Sequence, residues 1–392
     1  MHRSLVLFAS LSGLCAAGCF KTHEGDDDDT SPDGDADADT DADTDADGDC
    51  RGVPLPRSVD LLVLVDNSGS MAQEQANLTA SFELLTGALL GGADLDGDGI
   101  VEPPAVDSLH VGVISPDMGT GGFAVQTCRD AIDGDDGVLH NVPSGAVAGC
   151  DDVYPPFLDA APGEGAAQDV AADFACIGTV GTGGCGFEQP LKAVRKALTV
   201  HANGANAGFL RDDSLLALLL VTDEEDCSIR EDIANATDIF NTQLALGPLN
   251  LRCYNHGDQY VEPVETFVQD ILALRPCRPG HLAAAAITGI PPSSRHNCNL
   301  TDVNEAEYQC LLDLPDMQEV IDNSAEGKGE RLTPSCDEAG LGEAFPPRRI
   351  VQFLRDLGNA GATTSVHSIC ESDGGTAMAQ LGAELRGALG VE

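Results

Sequence analysis

Along the chain, apolar runs long enough to be buried on both faces alternate with stretches whose apolar residues recur every three or four positions. Residues 59–65 read Val-Asp-Leu-Leu-Val-Leu-Val, the nearly continuous apolar pattern of a strand inside a parallel sheet. The run stops at Asp66-Asn67-Ser68-Gly69-Ser70, a polar turn that opens a helix in which Leu78, Phe82, Leu85 and Leu89 form one stripe. Further strands are predicted over 109–115, 215–223, 281–290 and 363–370, and further helices over 164–177, 187–201, 262–274, 348–357 and 376–389. Alternating strands and helices predict an α/β fold: a doubly wound, mostly parallel sheet flanked by helices, in one large domain over 51–392. Residues from about 116 to 165 and from about 291 to 345 carry cysteines and little periodicity, and read as disulfide-rich insertions, the first with an edge hairpin.

The beginning of the chain follows a different logic. His2 and Arg3 precede an apolar run over 5–14 that is too short to span a bilayer, and Ala16-Ala17-Gly18-Cys19 follows. This is the layout of an export signal, and small residues before a cysteine resemble the bacterial lipoprotein processing box, in which Cys19 becomes the lipidated first residue. A plain signal-peptidase site is the alternative. Residues 24–49 contain 14 acidic and no basic side chains. Such a stretch cannot bury enough apolar surface to offset its ordering entropy, so 20–50 is expected to be an acidic tether. Together these features predict an exported protein, lipid-anchored at the outer membrane or cell surface.

Charge and cysteine content narrow the classes further. A formal net charge of −45 argues against nucleic-acid binding and against docking on anionic lipid through a basic patch. With Cys15 removed in the signal and Cys19 taken by lipid, an even set of cysteines remains, as expected for disulfides in an oxidising compartment. The absence of any Cys-x-x-Cys argues against zinc.

Two predicted strands end in aspartate, Asp66 and Asp223, and ligands of open α/β sheets bind outside the carboxyl ends of the strands. Asp66-x-Ser68-x-Ser70 lets one carboxylate and two hydroxyls converge from one tight turn, and Asp223 adds a second carboxylate. Hard oxygens of this kind suit Mg²⁺ or Mn²⁺, with Ca²⁺ the alternative. Asp66-Asn67-Ser68-Gly69-Ser70-Met71 after a buried strand resembles the metal-ion-dependent adhesion site of the von Willebrand factor type A domain, and Asp223 in Leu-Val-Thr-Asp resembles that family's distal aspartate. The resemblance covers roughly residues 57–391. It implies a metal on Asp66, Ser68, Ser70 and Asp223, with an open position for a carboxylate from a protein ligand. The family's further threonine comes from a glycine-rich loop that here reads Gly181-Thr182-Gly183-Gly184-Cys185-Gly186. Cys185 takes the threonine position, leaving Thr182, Glu188 or a water to serve in its place.

Other patterns compete for the same residues. The 181–186 loop also spells Gly-x-Gly-x-x-Gly, a dinucleotide fingerprint that sits too late in the fold to carry weight. Asp94, Asp96 and Asp98 resemble the start of a calcium loop, but its twelfth position is Ala105, where a bidentate glutamate belongs. Glu224-Glu225-Asp226 reads either as a solvated acidic loop or as extra negative potential at the metal face. No His-Glu-x-x-His or Gly-x-Ser-x-Gly occurs, so the expectation is a binding module and not an enzyme. A metal-dependent envelope hydrolase and a structural, disulfide-rich envelope protein are the alternatives.

Overall fold

The computed structural model describes residues 54–391 apart from 93, 95–97, 301–302, 323–329, 339–340 and 372–373. The expected signal, Cys19, the acidic tether and Asp96 lie outside the described residues. Among the described residues no helix is long and apolar enough to cross a membrane.

The strands are β1 (Ser58–Val65), β2 (Ser108–Ile114), β3 (Leu158–Ala160), β4 (Leu215–Thr222), β5 (Leu282–Thr288), β6 (Ile321–Asp322), β7 (Arg331–Leu332), β8 (Cys336–Glu338), β9 (Gly342–Ala344) and β10 (Thr363–Ser368). Six of them make the central sheet in the order β10-β5-β4-β1-β2-β3, parallel except for β3, which runs antiparallel to β2 at one edge. The pairs β6–β7 and β8–β9 are small separate hairpins. The helices are α1 (Ala72–Leu90), α2 (Ala166–Gly178), α3 (Pro190–Leu198), α4 (Arg252–Tyr260), α5 (Val264–Leu272), α6 (Glu305–Asp313), α7 (Arg348–Asn359) and α8 (Gly374–Ala388).

The apolar pattern of each element decides its layer. Val59, Leu61, Val63 and Val65 of β1 join the stripe Leu78, Phe82, Leu85 and Leu89 of α1, with Phe174 of α2 and Leu381 of α8, in one buried cluster. Within it the Phe82 and Phe174 rings stack with centroids 3.5 Å apart. Leu62 and Leu64 face the other way, into a second cluster with Val194 of α3, Phe267 of α5, Leu311 of α6 and Phe353 of α7. The product is a helix–sheet–helix sandwich, which explains why β1 and β4 are apolar on both faces.

Every cysteine among the described residues is disulfide-bonded. Cys150–Cys176 and Cys336–Cys370 tie the two aperiodic stretches to α2 and to the end of β10. Cys128–Cys185 ties the first to the glycine-rich loop, Cys298–Cys310 closes within the second, and Cys227–Cys253 joins the segment after β4 to α4. The helix predicted over 187–201 is shorter, beginning at Pro190 and ending at Leu198. Proline suits the first turn of a helix, and the residues before it are drawn out to pair elsewhere: Gln189 donates its N–H to the Pro116 carbonyl and Glu188 accepts from the Cys227 N–H.

The chain lays β2 and β3 on one side of β1, then crosses back to place β4 on the other side and continues outward to β5 and β10. The gap between β1 and β4 is therefore the point where strand order reverses, the place at which the carboxyl ends of an open sheet form a crevice. Val65 pairs in register with Val221, so Asp66 and Thr222 leave their strands side by side.

Candidate metal centre

Asp66 follows β1, is fully buried, and is held from three directions. Its backbone N–H donates to the Val221 carbonyl at 2.9 Å. Its Oδ1 accepts the Ser68 N–H at 2.7 Å and its Oδ2 accepts the Thr222 hydroxyl at 2.6 Å. The first bond bends the chain into the turn that carries Ser68 and Ser70, whose hydroxyl oxygens lie 3.2 Å apart. Asp223 is buried next to Thr222, and its carboxylate takes a hydrogen bond from Ser70. One oxygen, Asp223 Oδ1, is buried with no partner. The structure thus gathers Asp66, Ser68, Ser70 and Asp223 at one point.

The electrostatics of this point are one-sided. Burial and the charge of Asp66 push the Asp223 carboxyl up to about 7, against the opposing pull of the Ser70 hydrogen bond. Burial likewise raises Asp66, although the bonds from Thr222 and Ser68 pull it down. Glu188 and Glu224 are both driven well above the usual carboxylate range, by burial first and then by the charges of Asp66 and Asp223, with Glu224 also raising Glu188 and with Glu343 and Glu225 also raising Glu224. Glu74, in the first turn of α1, is raised by burial and by Asp66, and its Oε2 is buried with no partner. Carboxylates packed this closely cannot all ionise without a compensating positive charge.

The oxygen donors suit a hard divalent cation. Ser68, Ser70 and the unpartnered Asp223 Oδ1 are available to bind directly, whereas both Asp66 oxygens already accept hydrogen bonds. Among the described residues no group of three or more His, Cys, Asp or Glu side chains could hold a metal ion. A cation here must therefore draw on the serine hydroxyls and on water, as Mg²⁺ commonly does.

The glycine-rich loop packs directly against this turn. Gly184 donates its N–H to the Asn67 carbonyl at 2.8 Å, and a Cβ at Gly184 would collide with the Asn67 side chain. Cys185 is committed to its bond with Cys128. Thr182 is exposed and lines the same cleft as Ser68, Ser70, Glu188 and Glu224, a cavity of about 960 Å³. Of the two candidates for the missing threonine, Glu188 is the buried one and the one that feels the charges of Asp66 and Asp223.

Gln75 escaped the reading of the sequence. Its amide donates to the Asp66 carbonyl at 2.7 Å and to the Gly181 carbonyl at 2.8 Å, and its Oε1 accepts the Gly181 N–H at 3.2 Å. It clamps the aspartate turn to the glycine loop. The one signal was a polar residue in line with the apolar stripe, three positions before Leu78, where the helix face is buried. Asn67 reaches in another direction, donating to Asp135 Oδ2 at 3.0 Å, which also accepts from Ser115 and lies 3.2 Å from His140 Nε2.

The acidic run after Asp223 is not a solvated loop. Asp226 Oδ1 accepts the Leu191 N–H at 3.0 Å in the first turn of α3, and its Oδ2 accepts Arg349 Nε at 3.0 Å. Glu225 accepts the Arg349 N–H in the first turn of α7 at 3.0 and 3.1 Å. Two of the three carboxylates thus sit on helix N-termini, where the macrodipole favours negative charge, and Glu224 is left to face the charges of Asp223 and Asp66. Of the expected calcium loop, Asp94 and Asp98 are described and Asp96 is not. Asp94 Oδ2 accepts the Gly99 N–H and Asp98 Oδ1 accepts the Ile100 N–H.

Comparison with known proteins adds no identity: no protein-family model matches the chain, and no curated protein matches it.

Proposed function

We propose that this chain is an exported, lipid-anchored binding protein whose von Willebrand A-like domain captures a protein ligand through a divalent cation. The reading is supported chiefly by one observation: Asp66 and Asp223 leave neighbouring parallel strands at the strand-order reversal, with two serine hydroxyls and an unpartnered buried carboxylate oxygen between them. In this reading Ser68, Ser70 and Asp223 hold the cation directly and Asp66 holds it through water, with Thr182 or Glu188 completing the set. Mg²⁺ or Mn²⁺ is the expected ion. Bound there, it would offer an open coordination position to a carboxylate of the ligand. Thr222 and Gln75 keep the donors in place, and the neighbouring carboxylates hold the cation by long-range attraction. Cys19 would carry the lipid and residues 20–50 would hold the domain away from the membrane.

Calorimetric titration of the full chain with Mg²⁺, Mn²⁺ and Ca²⁺, on wild type and on Asp66→Ala, tests this. Wild type should bind at least one of the three, and the substitution should weaken binding by at least about tenfold, the smallest loss typical even of a metal's outer-shell partner. Absence of binding in wild type, or equal binding in the two proteins, would remove the reading.

A further inference from the structure

The cleft beside the candidate metal centre contains five arginines, and four of them are occupied. Arg230 pairs with Asp232, Arg331 with Glu343, Arg348 donates to the Leu312 and Met317 carbonyls, and Arg349 binds Asp226 and the Glu262 carbonyl. Arg129 is the exception. It is exposed, and among the described residues it makes neither an ion pair nor a hydrogen bond. The chain has 65 acidic residues for 20 lysines and arginines. In such an excess of carboxylates, an arginine with no acidic partner has been kept apart from them by the fold.

The fold does so by a short series of fixed contacts. Cys128–Cys185 ties the residue before Arg129 to the glycine-rich loop. A Cβ at Gly183 would coincide with the Arg129 guanidinium, so the bare glycine is what lets that group lie flat on the loop. The next residue, Gly184, is hydrogen-bonded to Asn67 in the aspartate turn. From Asp66 to Arg129 the path thus runs through one hydrogen bond, one glycine contact and one disulfide. Cys185, the departure from the family's threonine, is what brings a guanidinium to this edge of the cleft.

We infer that Arg129 is a second anchor for the ligand, and that the ligand is an acidic peptide carrying at least two carboxylates. The inference rests on the metal reading: one carboxylate goes to the cation and another to Arg129. The carboxylates of Asp66, Asp223, Glu188 and Glu224 would repel such a peptide, and the cation together with Arg129 offsets them at two separated points. A guanidinium accepts a carboxylate in a planar, bidentate fork. Gln126, Asn255 and Gln352 line the same cleft. Their amides both donate and accept, as a peptide backbone requires.

The test uses the full chain in Mg²⁺ and two labelled peptides of equal length, an oligoglutamate and a glycine–serine peptide with one glutamate, compared by fluorescence anisotropy. Wild type should favour the oligoglutamate by about tenfold, the usual worth of hydrogen bonds to a charged group. Arg129→Ala should abolish that preference while leaving Mg²⁺ uptake and single-glutamate binding intact, and Arg129→Lys should restore part of it. Gly183→Ala, which keeps the charge but displaces the guanidinium, should also reduce it. A wild-type chain that takes up Mg²⁺ yet shows no preference, or binds neither peptide, overturns the role of Arg129 and leaves the cation site standing. Binding of polygalacturonate but not of peptide overturns the peptide assignment. A wild-type chain that takes up no Mg²⁺ removes both readings.

Discussion

Asp66 commits both carboxylate oxygens within the protein, to the Ser68 N–H and the Thr222 hydroxyl. In the proposed metal reading its part would be to fix the turn and to supply charge, and the groups that hold it should govern cation affinity. Thr222→Val removes a hydroxyl from a wholly buried carboxylate and leaves Asp66 Oδ2 unsatisfied. An unpaired buried acceptor costs about 1–3 kcal/mol, and loss of a metal's outer-shell partner typically costs about 10–100-fold in affinity. Thr222→Val should accordingly lower both the denaturation midpoint and Mg²⁺ affinity by those amounts. Loss of stability with no change in Mg²⁺ affinity would show that Thr222 serves the core and not the centre. Asp66, Ser68 and Ser70 were legible in the sequence because local geometry alone, a strand end and a turn, brings them together. Gln75 and Arg129 were not legible. Their partners, Gly181 and Gly183, are distant in sequence and are brought near by packing and by a disulfide whose pairing no spacing reveals.

Among the elements, those with long apolar signals were legible and those held by polar contacts were not. Strands β1, β2, β4, β5 and β10 fall where buried runs predict them, because a parallel sheet covered on both faces demands such runs. Helix α4 contains Gly257 and a kink at His256, and α6 spans nine residues with only Tyr308, Leu311 and Leu312 buried. Neither buries enough apolar residues to show a period, whereas α5, of the same length, buries Val264, Phe267, Val268 and Ile271. The start of α3 was misjudged for a related reason: its first turn is held by Asp226 and Ser228 from another loop, not by a cap of its own. Asp226→Ala should therefore act on elements. It removes the acceptor for the Leu191 N–H and the partner of Arg349, joining points of α3 and α7. Loss of a helix cap costs roughly 1 kcal/mol and up to about 2, so the urea midpoint should fall accordingly with an unchanged denaturant slope. An unchanged midpoint would mean that neither helix depends on this carboxylate.

At the scale of the whole molecule, the acidic rim makes stability depend on pH in a direction opposite to that of most carboxylates. Burial, then the charge of Asp66, raises Asp223 from 3.8 to about 7, and burial, then the charge of Glu319, raises Glu225 from 4.5 to about 8. A carboxyl whose pKa is raised by folding contributes stability below its unfolded value, and that contribution is lost as pH climbs to the folded value. Buried His367 works the other way: lowered by burial from 6.5 to about 4, it costs stability as pH falls through that interval. Above about pH 6.5 a free histidine is mostly neutral in the unfolded chain as well, so His367 drops out and the carboxylates act alone. The metal-free protein should therefore lose thermal stability as pH rises from 6.5 to about 8. A divalent cation at the proposed centre competes with protons for the Asp223 carboxylate, though not for Glu225 at the start of α7, so Mg²⁺ should offset part of that loss and raise the melting temperature more at the alkaline end. At a hundred times its Kd a ligand that binds only the folded state adds about 2.7 kcal/mol, enough to be read as a clear shift. Melting curves at the two pH values, with Mg²⁺ and with chelator, provide the check. A Mg²⁺ gain equal at both would mean that the cation binds somewhere other than among these carboxylates.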